Sequence, residues 1–265
     1  MQPPPLLHDK VIVIIGGTSG LGLSGARALL AAGAQVVCLG RDDEHVEPAR
    51  KALGDAAQVL PGDATLPATA QQAIDTAVSR FGRLDALYHV AGGSGRKMGD
   101  GPLHEVTDAG WEDTIRLNLT SLFLSNRAAV RQFLKQGSGG AVLNAGSVLA
   151  SSPSPQYFAT VAYSAAKSAI VGLTRSAAAY YAPHNIRFNV LGPGLIETPM
   201  SQRAVGDEKI AAFVRSKQPL DGGRVGVPTD LDAAVVFLLS DQAKFITGQV
   251  LAIDGGWSVS EGRVS

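Results

Sequence analysis

The 265-residue sequence has a single cysteine, Cys38, so an intrachain disulfide is impossible. It lies in the apolar run Val36-Val37-Cys38-Leu39, where it reads as a small core residue suited to a reducing compartment. Net charge is also lacking. The 23 Lys+Arg balance 23 Asp+Glu, leaving no basic excess to draw the chain onto nucleic acid or an anionic membrane. No apolar run approaches the ~18 residues of a membrane span. The start Met1-Gln2-Pro3-Pro4-Pro5-Leu6-Leu7-His8-Asp9-Lys10 lacks the charged residues and apolar stretch of a secretory signal. A cytoplasmic chain with small-molecule partners is expected. The histidines, His8, His45, His89, His104 and His184, show no metal-ligand spacing, so no catalytic metal is expected.

Hydrophobic residues make up 45% of the chain and charged residues only 17%, a balance that fits an α/β protein with a buried sheet. Short β-branched runs at 11–15, 35–39, 58–60, 86–90, 141–144, 187–191 and 249–253 predict about seven strands. Between them, stretches of helical period are read at 24–32, 66–81, 108–135, 163–182 and 229–239. Continuously apolar strands joined by helical crossovers point to a parallel sheet covered on both faces. The expected architecture is a doubly wound α/β (Rossmann) fold in one domain spanning 1–265. Residues 200–227 fit no core element and are expected to cover the mouth of the active site.

The first strand runs into Gly16-Gly17-Thr18-Ser19-Gly20-Leu21-Gly22, ahead of a helix. Glycines there permit a tight turn and let backbone N–H groups meet a pyrophosphate at the positive helix terminus, although such turns also serve plain close packing. The spacing Gly16-x3-Gly20-x-Gly22 differs from G-x-G-x-x-G. It resembles the glycine signature of the short-chain dehydrogenase/reductase family, with Ile15 where Thr is commonest.

Further motifs carry the same resemblance. Tyr163-Ser164-Ala165-Ala166-Lys167 puts a phenol and an ammonium one helical turn apart, and a fixed positive charge favours phenolate. Upstream, Gly146-Ser147 is similar to the family's catalytic serine segment. Downstream, Asn189-Val190-Leu191-Gly192-Pro193-Gly194-Leu195-Ile196-Glu197-Thr198 is similar to its nicotinamide-binding turn. The likeness extends from Lys10 to Trp257 and includes Phe245-Ile246-Thr247-Gly248-Gln249 and Asp254-Gly255-Gly256.

The resemblance implies an oxidoreductase moving a hydride between NADP(H) and a carbonyl or secondary alcohol of a small substrate. Ser147 would position the substrate oxygen, Tyr163 exchange the proton, and Lys167 lower the phenol pKa and hold the nicotinamide ribose. Asn118 would anchor a water in the proton relay; as an isolated residue it reads as helix surface. The implied cofactor site comprises Gly16, Thr18, Ser19, Gly20, Leu21, Gly22, Arg41, Asp63, Ala64, Ala91, Gly92, Tyr163, Lys167, Pro193, Gly194, Ile196 and Thr198. Thr198 and the Ile196 backbone would hold the carboxamide. Gly40 stands where NAD-preferring relatives carry an acid, and Arg41 follows to clamp a 2′-phosphate, so NADP(H) is expected over NAD(H). Arg41 also reads as a solvated loop arginine, and Asp63 either accepts from the adenine amino group or forms an Asx turn.

The chain departs from the family pattern in two places. His89-Val90-Ala91-Gly92 replaces the common Asn-Asn-Ala-Gly, with His89 read as a satisfied core residue. The gap from Ser147 to Tyr163 is three residues longer than usual, which leaves Ser151 and Ser152 as alternative substrate hydroxyls. A non-catalytic NADP(H)-binding regulatory protein is the alternative from another class. The Ala-rich helices near 108–135 and 163–182 further suggest a homodimer or homotetramer.

Overall fold

A computed structural model describes residues 5–262; residues 1–4 and 263–265 of the expected domain, including the first part of the amino-terminal stretch read above, lie outside them. In chain order the strands are β1 (Val11–Ile15), β2 (Gln35–Gly40), β3 (Ala57–Pro61), β4 (Ala86–His89), β5 (Gly140–Ala145), β6 (Ile186–Pro193) and β7 (Val250–Ile253). The helices are α1 (Gly20–Ala31), α2 (Asp43–Leu53), α3 (Pro67–Phe81), α4 (Asp108–Ile115), α5 (Ser121–Gln136), α6 (Pro155–Phe158), α7 (Val161–Tyr181), α8 (Gln202–Val205), α9 (Glu208–Lys217) and α10 (Asp232–Leu239). All seven strands pair in parallel in the order β3-β2-β1-β4-β5-β6-β7.

Alternation along β1 sorts its side chains onto two cores. Ile12 and Ile14 pack with Ala26 and Leu29 of α1 and Leu238 and Leu239 of α10. Val11, Val13 and Ile15 pack with Ala70, Ala73, Ile74 and Ala77 of α3, beside Ala129 and Phe133 of α5. Both faces are therefore covered, which is why β1 shows no polar alternation. The chain winds outward through β2 and β3, then returns to place β4 against β1. The carboxyl ends of β1 and β4 diverge at that switch point and open the crevice where such sheets bind ligands.

Several expected boundaries shift for identifiable reasons. Helix α1 begins at Gly20 rather than residue 24, because tertiary packing overrides the poor helix propensity of glycine. Helix α2 was not anticipated: Pro48 interrupts its pattern, although Asp43 and Glu44 open it, Arg50 and Lys51 close it, and Val46, Ala49 and Leu53 form its buried stripe. The helix expected over 108–135 is broken by a π-helical turn, Arg116–Thr120. The segment expected at 229–239 opens as a 3-10 turn, Pro228–Leu231, before α10. Val90 lies just beyond β4 and is half-buried rather than a core strand residue.

Candidate active site

A cleft of about 560 Å³ lies over the carboxyl ends of the strands, within the size of small-molecule sites. One end is the glycine turn. Gly16 has φ +90°, and a Cβ there would lie 2.6 Å from the Ala91 nitrogen; a Cβ on Gly22 would lie 1.9 Å from the Gly16 carbonyl oxygen. Only glycine lets β1, α1 and the β4 loop close together. Ser19 caps α1 with extended backbone, and the N–H groups of Gly20, Leu21 and Gly22 form the first turn, where intrahelical acceptors are lacking. This cradle fits a diphosphate. Thr198 stands opposite, its Cγ2 3.3 Å from where a Cβ on Gly20 would be.

The adenosine-sized end is lined by Gly40, Arg41, Asp42, Asp63 and Ala64. Gly40 has a steric reason that composition does not reveal: any Cβ would lie 1.9 Å from Thr18 Oγ1, so a side chain here would have to displace Thr18. Arg41, 63% exposed, forks onto Asp42 through Nε at 2.8 Å and Nη2 at 3.3 Å. This pairing holds the Asp42 carboxyl below its usual range. Asp63 Oδ1 accepts from the Thr65 N–H at 2.8 Å, the Asx geometry, while the residue also borders the cleft.

At the other end, Ser147, Tyr163 and Lys167 come together. Ser147 leaves β5 in extended conformation, and its Oγ accepts from the Leu149 N–H at 3.2 Å. Tyr163 and Lys167 share a face of α7, with Nζ 5.5 Å from the phenol ring centroid and donating to the Ala145 carbonyl at 2.8 Å. Burial pushes the Lys167 ammonium down to about 8. Burial also pushes the Tyr163 phenol up, with the neighbouring Ser147 hydroxyl as the opposing influence. The net direction for the phenol is therefore upward, against the expected depression by Lys167. Ser151 and Ser152 do not line the cleft, and the Ser152 carbonyl accepts from Trp257 Nε1 at 3.2 Å.

Asn118 is fully buried, not on a helix surface. It occupies the π-helical turn, and its Nδ2 donates to the Gly93 and Thr114 carbonyls, both at 2.9 Å, while Oδ1 accepts from the Gly93 N–H at 3.1 Å. The side chain thus clamps the Gly92–Gly93 backbone from behind the cleft wall. Of the expected residues, Asn118 and Gly22 support the lining without forming it, and all the others line the cleft.

Two buried residues escaped the sequence reading. Asp100 caps the amino terminus of α7, its two oxygens accepting from the Ala162 and Tyr163 N–H groups at 3.0 and 2.9 Å. Gln218 grips the turn after β6, its Oε1 accepting from the Leu195 N–H and its Nε2 donating to the Leu195 carbonyl. Neither carries a local signal, since each partner is far away in sequence.

A parallel sheet with this switch-point cleft, glycine cradle and Tyr-Lys pair defines a dinucleotide-dependent oxidoreductase. A family model described as enoyl-(acyl carrier protein) reductase matches residues 16–258. The chain is 37% identical over 257 residues to a 2-(S)-hydroxypropyl-CoM dehydrogenase of Xanthobacter autotrophicus, covering 94% of this chain and 97% of that one. It is 36% identical over 253 residues to a cis-4-hydroxycyclohexanecarboxylate dehydrogenase of Sinomonas cyclohexanicum, covering 94% and 97%. A solved 3-ketoacyl-(acyl-carrier-protein) reductase of Brucella melitensis complexed with NADH superposes with TM-score 0.84 at 30% identity, covering 96% of this chain and all of that one. The chain belongs to the short-chain dehydrogenase/reductase family. It is an NAD(P)-dependent enzyme acting on CH–OH or C=O groups.

Proposed function

We propose that the enzyme moves a hydride between NADP(H) and a carbonyl or secondary alcohol on a small substrate, with Tyr163 as general acid and base. The observation carrying this reading is the half-buried Tyr163 on the cleft beside Ser147, with the Lys167 ammonium 5.5 Å from its ring centroid. When bound, the nicotinamide supplies or accepts the hydride. Ser147 Oγ fixes the substrate oxygen. Tyr163, protonated at neutral pH, gives its proton to that oxygen in reduction and recovers one in oxidation. Lys167 holds the nicotinamide ribose, Ala145 fixes its Nζ, and Asn118 keeps the Gly92–Gly93 wall in place. Thr198 and the Ile196 backbone hold the carboxamide.

The preference for NADP(H) rests on Arg41 at the cleft and on Gly40, packed against Thr18, standing where an acid would meet the ribose. NAD(H) remains a second substrate in this reading, because Asp42 competes for the guanidinium. Residues 200–227 serve as a cover: Met200, Ser201, Arg203 and Ala204 line the cleft, while Ile210 and Val214 pack beside Trp257. We place the protein in the cytoplasm as a homodimer or homotetramer. Buried, unpaired Cys38 is compatible with the first assignment, and exposed Trp111, Phe123, Leu134 and Tyr180 support the second.

Tyr163→Phe tests the central claim, since it keeps the ring and removes the proton donor. The expected kcat falls by about 10²–10⁴-fold with dinucleotide affinity nearly intact. Retention of more than about a tenth of wild-type kcat, with chemistry rate-limiting, rejects the proton role. Tight NADPH binding without turnover across a panel of ketones and alcohols favours the regulatory alternative.

A further inference from the structure

The substrate end of the cleft carries two guanidiniums to which the proposed reaction assigns no work. Arg96, in the loop after β4, and Arg203, in α8, both line it. They converge on one backbone acceptor: Nη2 of Arg96 donates to the Tyr157 carbonyl at 2.9 Å and Nη2 of Arg203 at 3.3 Å. These two nitrogens are thus no farther apart than the two distances laid end to end. Each guanidinium has five N–H donors, and this carbonyl takes one from each.

Nearby counter-charge is already committed. Asp100, the acid close to Arg96, spends both oxygens on the α7 N–H groups. The acids among the described lining residues, Asp42 and Asp63, stand at the opposite end beside Arg41. Burial and the Arg203 charge push the Arg96 guanidinium below its ordinary value, with Asp100 opposing them. Leu149, Phe158, Met200 and Trp257 add apolar wall to the same cleft.

We infer that Arg96 and Arg203 form an anion clamp, so that the substrate carries a carboxylate, sulfonate or phosphonate-type group on an apolar body away from the reacting carbon. Two adjacent guanidiniums suit an oxyanion, which can accept from both forks at once. A neutral substrate would offer the two like charges no counter-ion beyond Asp100, whose oxygens already accept from the α7 N–H groups. This inference rests on the oxidoreductase reading above for the position of the reacting carbon.

The test uses dinucleotide-loaded protein and compounds of matched length: 4-oxopentanoate, its methyl ester, and the corresponding keto sulfonate and keto phosphonate. Calorimetric Kd and kcat/KM are measured for wild type, Arg96→Met, Arg203→Met and the double variant. At least one anion should be preferred to the ester by about tenfold or more, the low end for charge-assisted contacts at a part-exposed site. That ratio should fall in each single variant, approach unity in the double variant, and be partly restored by lysine at either position. The anion arms tell which headgroup is preferred. A wild-type ratio near one, or a ratio unmoved by the substitutions, overturns the clamp. Arginine-dependent anion binding without reduction of any of these ketones by either nicotinamide keeps the clamp and rejects the placement of the reacting carbon at Tyr163.

Discussion

His89 makes the fold acid-labile, and the size of the effect follows from its surroundings. It ends β4 against β1 and β5 and is 1% exposed. Nε2 lies 3.1 Å from the Ala91 carbonyl and Nδ1 2.8 Å from Ser125 Oγ. A carbonyl only accepts, so the neutral ring carries its proton on Nε2, and Nδ1 competes with the Leu122 carbonyl, 3.0 Å from Ser125 Oγ, for the single serine proton. Burial, then the nearby Lys167 charge, push the imidazolium down to about 3, against a contrary pull from the Ala91 carbonyl. The unfolded chain therefore binds more protons between about 6.5 and 3, and stability is lost as pH falls through that window. At pH 5 the loss is about 2 kcal/mol, or roughly 4–8 °C of melting temperature for a chain of this size. Thermal denaturation at fixed protomer concentration, for wild type and His89→Asn from pH 7.5 to 4.5, checks this. The two curves should converge or cross as the medium acidifies. Curves that stay parallel within about 0.5 kcal/mol would falsify the assignment of acid lability to this ring.

The remaining expectations concern the cofactor, the ammonium and assembly. Arg41→Ala should raise the NADPH KM about tenfold and leave NADH within about twofold, since an exposed charge-assisted contact sits at the low end of its range; equal effects in steady-state assays reject the 2′-phosphate role. Lys167 has a folded pKa of about 8, below its unfolded value, so the unfolded chain binds more protons and stability is gained as pH rises from about 8 toward 10.4. Difference melting curves against Lys167→Met should show that rise, and a flat difference rejects it. Light scattering at micromolar concentration should return at least twice the 27.4 kDa chain mass. A monomer there leaves the exposed Trp111, Phe123 and Leu134 surface unexplained.

Features with short-range physical causes were legible in the sequence. The strand cores at β1 and β2 follow from continuous apolar runs, Val11–Ile15 and Val36–Leu39, because a sheet covered on both faces needs apolar residues on both sides of the strand. The Tyr163–Lys167 pair follows from helical period, and the glycine turn from the need for backbone without side chains. Where local propensity opposes tertiary demand, the reading erred. Gly20 and Gly22 look like a loop yet open α1: Gly20 takes φ +47°, and only the lack of a side chain on Gly22 admits the Gly16 carbonyl. Pro48 looks like a breaker yet sits within α2.

What stayed hidden shares one cause: its chemistry arises from convergence across sequence, and convergence leaves no local pattern. Asn118 reads as a polar residue on a solvated face until the π-helical turn rotates it inward onto Gly93, 25 positions away. Arg96 and Arg203 are two arginines among many until 3-10 and helical turns bring both to the Tyr157 carbonyl. That carbonyl lies in the stretch between Ser147 and Tyr163 that is three residues longer than the usual family spacing. The extension folds as a 3-10 turn, Val148–Ala150, and α6, and it sets Tyr157 and Phe158 against Phe213 and Trp257. The departure that made the catalytic serine ambiguous in sequence therefore builds the acceptor on which the two guanidiniums meet. Shortening this stretch by three residues, for example by deleting 153–155, should scatter the arginines while leaving Ser147 on β5 and Tyr163 on α7. Dinucleotide binding should then persist while the preference for anionic ketones disappears. A deletion variant that folds and keeps that preference would show that the guanidiniums do not depend on the extension for their placement.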